Sequence, residues 1–173
     1  KIDQILKTLQ EIKRFVSKVD LIFNVAGIWH NEVEAIAGKT FVEITVSTVL
    51  DTINVGIVAH TLIVHQLVPL MGNESFIVNI SGTFENGAKG WLPYYISKKG
   101  LEILSSGLAD ELFGTGIKTF VISPSDTATK PYLKFFPQYA KACTTPENIA
   151  EQIILAIRNN TNNEILEVKK ENL

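Results

Sequence analysis

Cysteine, net charge and basic runs are scarce in this 173-residue chain, and each shortage closes a class of function. One cysteine, Cys143, permits no internal disulfide, and no metal-ligand cluster is spaced around it, so no metal is expected. A lone thiol fits a reducing compartment, so a cytoplasmic location is expected. The formal net charge is -2, from 16 Lys+Arg and 18 Asp+Glu, with no basic cluster. That balance argues against nucleic acid or an anionic membrane surface as a partner. Repeats, linkers and low-complexity runs are absent too, so residues 1–173 are expected to form a single domain.

What is present is a core. Apolar residues make up 46% of the chain, ordinary for a globular protein. Thr52 to Asn73 contains no Asp, Glu, Lys or Arg and is long enough to cross a bilayer. It also holds Asn54, His60, His65, Gln66 and Pro69, so a long buried helix is expected there and not a membrane span.

Periodicity fixes the element order. Ile5, Leu6, Leu9, Ile12 and Phe15/Val16 recur at helical spacing, which predicts a helix over 2–16. Short unbroken apolar runs at 20–23, 75–80, 117–122 and 165–168 predict buried strands. Helices are predicted between them at 46–70, 93–113 and 146–158, with Thr145 as N-cap of the last. A short helix is expected around 132–136. Strand and helix alternate, so the fold class is α/β, a doubly wound parallel sheet with helices on both faces. Ligands in such sheets bind beyond the carboxyl ends of the strands.

The chemically informative residues fall at those ends. Asn24-Val-Ala26-Gly27 follows the first strand, Ser81-Gly-Thr83 the second, and Pro124-Ser-Asp-Thr127-Ala-Thr129 the third. Tyr94 and Lys98 stand four apart on the next helix, on one face. A phenol ionises near about 10, and a fixed ammonium beside it is expected to lower that value and suit it to proton transfer. A Ser81 hydroxyl is expected to hold the reacting oxygen. A Tyr–Lys pair on a helix is commonplace taken alone; the shared position at one sheet edge is what gives it weight.

In these features the chain resembles the short-chain dehydrogenase/reductase family, in its compact single-domain branch. Asp20 to Gly27 is similar to the family's Asp-x-x-x-Asn-Asn-Ala-Gly segment. Val78-Asn-Ile-Ser81 resembles its serine-bearing strand, Tyr94-x-x-Ser-Lys98 its Tyr-x-x-x-Lys, and Pro124 to Thr129 its Pro-Gly-x-x-x-Thr loop. The resemblance implies a Rossmann-like fold and an NAD- or NADP-dependent oxidoreductase that interconverts an alcohol and a ketone or aldehyde. It implies Tyr94 as acid/base, Lys98 as ribose ligand, Ser81 or Thr83 as the substrate-oxygen hydroxyl, and Asn54 as the holder of a relay water. Asn24, Ala26, Gly27, Pro124, Thr127 and Thr129 would line the cofactor cleft, together with Tyr94 and Lys98. The family's partners are small alcohol or carbonyl substrates, and its members pair as dimers or tetramers through the helices around 46–70 and 93–113.

Departures are specific. Val25 replaces the second asparagine, Gly82 a second serine, and Ser125 the glycine after Pro124. Tyr95 and Lys99 offer a competing pair at the same spacing. No glycine-rich phosphate-binding turn occurs, so the first βαβα portion is expected to be missing and the chain to be part of a longer enzyme. Two alternatives remain at this point: a non-catalytic interaction module, or a cofactor-retaining isomerase or dehydratase on the same fold. Tyr132, Phe135, Phe136 and Tyr139 would close over an apolar or ring-containing substrate, or simply pack the segment that carries them.

Overall fold

A computed structural model describes residues 2–170. Four strands form one parallel sheet in the order β1 (Val19–Asn24), β2 (Met71–Ile80), β3 (Lys118–Pro124), β4 (Ile165–Val168). Leu21 pairs with Phe76, Asn24 with Asn79, and Ile80 with Ile122, which brings the carboxyl ends of β1–β3 to one rim. The first residues of β2 bulge: Val19 pairs with Met71 but Leu21 with Phe76, and Glu74 in the bulge takes φ 67°. The regular part of this strand is thus the predicted 75–80.

Both faces are covered. Ile22 and Ile77 on one face pack with Leu9 of α1 (Ile2–Phe15) and with Val64 and Leu67 of α3 (Ala59–Leu67). Phe76, Val78, Phe120 and Ile122 on the other pack against Ala156 of α6 (Pro146–Arg158). The alternation along β2 follows from the two-residue period of a strand. Thr145 caps α6 by accepting from the Asn148 N–H, and Thr129 caps α5 (Lys130–Phe135) in the same way from Tyr132.

The long apolar stretch is interrupted. It is α2 (Val46–Ile53), a π turn (Asn54–Val58), α3 and a 3-10 turn (Val68–Leu70) in series. It is long and apolar enough to cross a membrane by composition, but it sits on the sheet and buries only one stripe: Thr52, Gly56, His60, Val64 and Leu67. Val46 and Leu50 remain exposed. The expected long buried helix is thus present, interrupted by a π turn and buried along one side.

That stripe meets α4 (Leu92–Glu111) at close range. A Cβ on Gly56 would lie 2.5 Å from Ser97 Oγ and 2.6 Å from Ser97 Cβ, so the π turn and α4 touch almost backbone to side-chain root. Gly56→Ala is expected to destabilise by about 1–3 kcal/mol through overpacking. Gly107 also lies in α4, but a Cβ there meets nothing within 4 Å, so Gly107→Ala is expected to gain about 0.5–1 kcal/mol of helix propensity. Thermal denaturation of the two variants checks the opposite signs.

Candidate active site

Helix α4 starts beside the rim with Pro93 in its first turn, where a missing N–H is harmless, and places Tyr94 and Lys98 one turn apart. Lys98 is 2% exposed, and its Nζ donates to the Ile80 carbonyl at 2.8 Å, at the very end of β2. The same Nζ lies 5.6 Å from the centre of the Tyr94 ring. Gly27 closes the group from the end of β1. A Cβ there would stand 3.2 Å from Tyr94 Cε2 and 3.4 Å from Lys98 Nζ, so the Gly27 backbone packs closely on both side chains and a larger residue would push them aside. The competing pair goes elsewhere: Lys99 binds Glu102 at 2.9 Å and Tyr95 packs edge-on to Phe84. Tyr94 and Lys98 are thus the pair gathered at the strand ends.

Burial governs their ionisation. Removal from water disfavours a phenolate and pushes Tyr94 up to about 12; the same effect pulls Lys98 down to about 8. The expected depression of Tyr94 by Lys98 is not what this geometry gives, because desolvation outweighs the ammonium. Near neutral pH Tyr94 is a proton donor.

Ser81 is buried, and its hydroxyl turns toward α4. Its Oγ donates to Glu102 Oε1 at 2.5 Å and lies 3.3 Å from the Lys98 carbonyl. The Glu102 side chain is only 12% exposed and also accepts from Lys99. A hydroxyl has one proton, and a carboxylate can only accept. The Ser81 proton is therefore committed to Glu102, and no hydrogen bond joins Ser81 to Tyr94 among the described residues. Thr83, two residues on, donates more loosely, to Pro124 O at 3.3 Å. Sequence inspection passed over Glu102, although its place four residues after Lys98 puts it on the same helical face.

Other predicted residues fall around this centre. Asn54 opens the π turn, an insertion often found at functional sites. His60, read from sequence as core or interface, is buried and bonds the Gly56 carbonyl in that turn; burial first, then Lys98, lowers its pKa. Asn24 donates to Asn79 at 2.8 Å, yet Asn24 Oδ1, Asn79 Nδ2 and Ser125 Oγ are buried without a partner among the described residues. These three sit at the ends of β1, β2 and β3. Buried polar atoms are normally paired, so they fit a polar ligand crossing the rim. Thr127 Oγ1 donates to Ser125 O, and Thr129 accepts from α5 while keeping its own proton. Pro124 ends β3 beside them. Ala26 is exposed on the rim.

Residues 1–138 match the short chain dehydrogenase family model. The chain is 26% identical over 166 residues to the ketoacyl reductase HetN of Nostoc sp., covering 91% of this chain and 55% of that protein. It thus spans about half the length of that curated relative. A short chain dehydrogenase from Burkholderia cenocepacia, solved in complex with NADP, superposes with TM-score 0.80 at 18% identity, covering 95% of this chain and 70% of that one. A short-chain dehydrogenase/reductase from Brucella melitensis gives 0.82 at 18% identity, covering 97% and 71%. At these identities the structures show a shared fold.

The buried phenol yields a direct expectation. Its folded value lies above the ordinary 10, so the folded chain keeps this proton longer than the unfolded one. Tyr94 then costs stability as pH rises from about 10 toward 12. Absorbance titration at 295 nm should show the phenolate missing from Tyr94→Phe to be one that appears near pH 12; a lost component near pH 10 would contradict the burial.

Proposed function

The chain belongs to the short-chain dehydrogenase family, and from that we propose that it carries the proton-transfer machinery of a nicotinamide-dependent oxidoreductase acting on an alcohol or carbonyl. The observation that carries this proposal is the convergence of Tyr94, Lys98 and Gly27 at the ends of β1 and β2. NADP or NADPH held by solved neighbours supports a nicotinamide dinucleotide, either NAD or NADP, as the cofactor.

The residues present fit the nicotinamide–ribose end of such a group. Gly27 brings backbone within close reach of Tyr94 and Lys98, and buried polar atoms without a partner among the described residues stand at three strand ends. Asn24, Ala26, Gly27, Pro124, Thr127 and Thr129 would hold it, with Lys98 at the ribose. When bound, this group supplies the hydride for reduction or accepts it in oxidation.

The protein manages the proton. Neutral Tyr94 donates its phenolic proton to the carbonyl oxygen as that oxygen gains negative charge, leaving an alcohol and a phenolate. The Lys98 ammonium, still protonated below about pH 8, stabilises that phenolate. In the reverse direction the phenolate takes the alcohol's proton. We assign the second hydrogen bond to the reacting oxygen to Thr83, whose hydroxyl makes only a long 3.3 Å bond to Pro124 O, whereas the Ser81 hydroxyl is held by Glu102 at 2.5 Å. Ser81 then acts on α4, fixing the register that presents Tyr94. Asn54, in the π turn, is assigned to the proton route from Lys98 to solvent. The exposed apolar residues Val46, Leu50, Ile96 and Ile103 support pairing of copies through α2 and α4.

Ketone reduction with NADPH or NADH tests the roles. Tyr94→Phe should lower kcat by about 10²–10⁴-fold, the usual span for a general acid. Thr83→Val should lower kcat while leaving the fold intact, whereas Ser81→Ala should lower the melting temperature more than kcat. Retention of the parent rate by Tyr94→Phe contradicts the proposal.

A further inference from the structure

Both tryptophans and all four tyrosines of the chain lie in one continuous group of rings that begins at Tyr94. Trp91 stands 6.2 Å from Tyr94, 6.3 Å from Trp29 and 6.1 Å from Phe136, centre to centre. Phe84 also packs on Tyr94, edge-on at 6.0 Å. Trp29 and Phe136 lie near parallel, 6.2 Å apart with planes at 27°. These rings come from separate segments: the loop after β1, the loop after β2, the start of α4, and the end of α5.

Two features distinguish this group from ordinary core packing. First, beyond Tyr94 the rings stay part-exposed: Trp29, Phe84, Trp91, Tyr132 and Phe136 are half-buried and Tyr139 is exposed, whereas Phe76 and Phe120, an edge-to-face pair in the sheet core, are 7% and 0% exposed. Large apolar rings left part-wetted beside a reactive hydroxyl are a binding feature before they are a packing one. Second, although Trp29 packs edge-on to His30 at 4.3 Å, the contacts that join Trp29 and Trp91 to each other, to Tyr94, to Tyr132 and from Trp91 to Phe136 are tilted and fall in the outer part of the range for aromatic pairs, roughly 4.5–7 Å. The rings meet loosely, and their faces are incompletely satisfied by one another. Trp and Phe move about only two side-chain torsions, so they present a flat surface at small entropic cost.

We propose that this mouth selects a planar, ring-containing carbonyl compound or the matching alcohol, its ring held against Trp29, Trp91 and Phe136 and its oxygen at Tyr94. This substrate class rests on the assignment of Tyr94 as proton donor. An aromatic ligand gains ring–ring contacts with each of the three, which a saturated ligand of equal size does not.

Occupancy is readable without turnover, since the chain has only two indole N–H groups and both lie in the mouth. The 173-residue chain is titrated with 1-tetralone and, separately, with the saturated 1-decalone, following both indole cross-peaks by ¹⁵N–¹H NMR. The proposal expects saturable shifts of both peaks with 1-tetralone and affinity about tenfold above that for 1-decalone, as a few aromatic contacts supply. Trp91→Leu should erase the preference; Phe136→Leu, which leaves both indoles in place, should reduce it. Equal affinity for the two ketones, or indole peaks that never move, would overturn the proposal and leave the rings as packing. Tyr94→Phe keeps the ring preference if the mouth is correctly assigned, so loss of the Tyr94 role alone and loss of the aromatic preference alone are separate outcomes.

Discussion

Lys98 donates to the Ile80 carbonyl from a position 2% exposed to solvent, and most of the site's geometry follows from that one bond. Burying an ammonium is expensive unless it is hydrogen-bonded. The bond satisfies part of that demand and, in doing so, ties the middle of α4 to the end of β2. Ser81 adds a second tie through Glu102 and the Lys98 carbonyl. With α4 anchored at two points, Tyr94 one turn earlier has little freedom, and Gly27 closes over both side chains from the neighbouring strand. The cost of the arrangement appears as shifted ionisation: the ammonium is easier to deprotonate and the phenol harder.

Those opposite shifts suit one direction of proton movement. A phenol held neutral can give its proton to an oxygen that becomes more basic as the reaction proceeds. The neighbouring ammonium is poised to balance the phenolate left behind. The aromatic mouth extends outward from Tyr94 through Trp91 and Phe84.

Much of this was legible in the sequence. Alternating apolar runs and helical periods gave the four strands and their connecting helices, because burial on both faces leaves uninterrupted hydrophobic strands. Tyr94, Lys98 and Gly27 were legible because the parallel sheet forces their loops to one rim. Three things were not. The π turn at Asn54–Val58 leaves no mark in hydrophobic period, since it shifts the stripe by a single residue. The partner of Ser81 depends on a side-chain direction, and spacing to Tyr94 carries no information about which way a hydroxyl points. The sign of the Tyr94 shift depends on the balance between burial and a neighbouring charge, and sequence shows the charge but not the burial.

The central claim is that Lys98 is a buried ammonium bonded to the end of β2. The most direct measurement is a ¹³Cε NMR titration of the chain's lysines, with Lys98 assigned by its loss in Lys98→Met. The account predicts that Lys98 titrates near pH 8, well below the ordinary lysine value of about 10.4. A Lys98 signal that titrates with the exposed lysines would contradict it, and with it the placement of Tyr94.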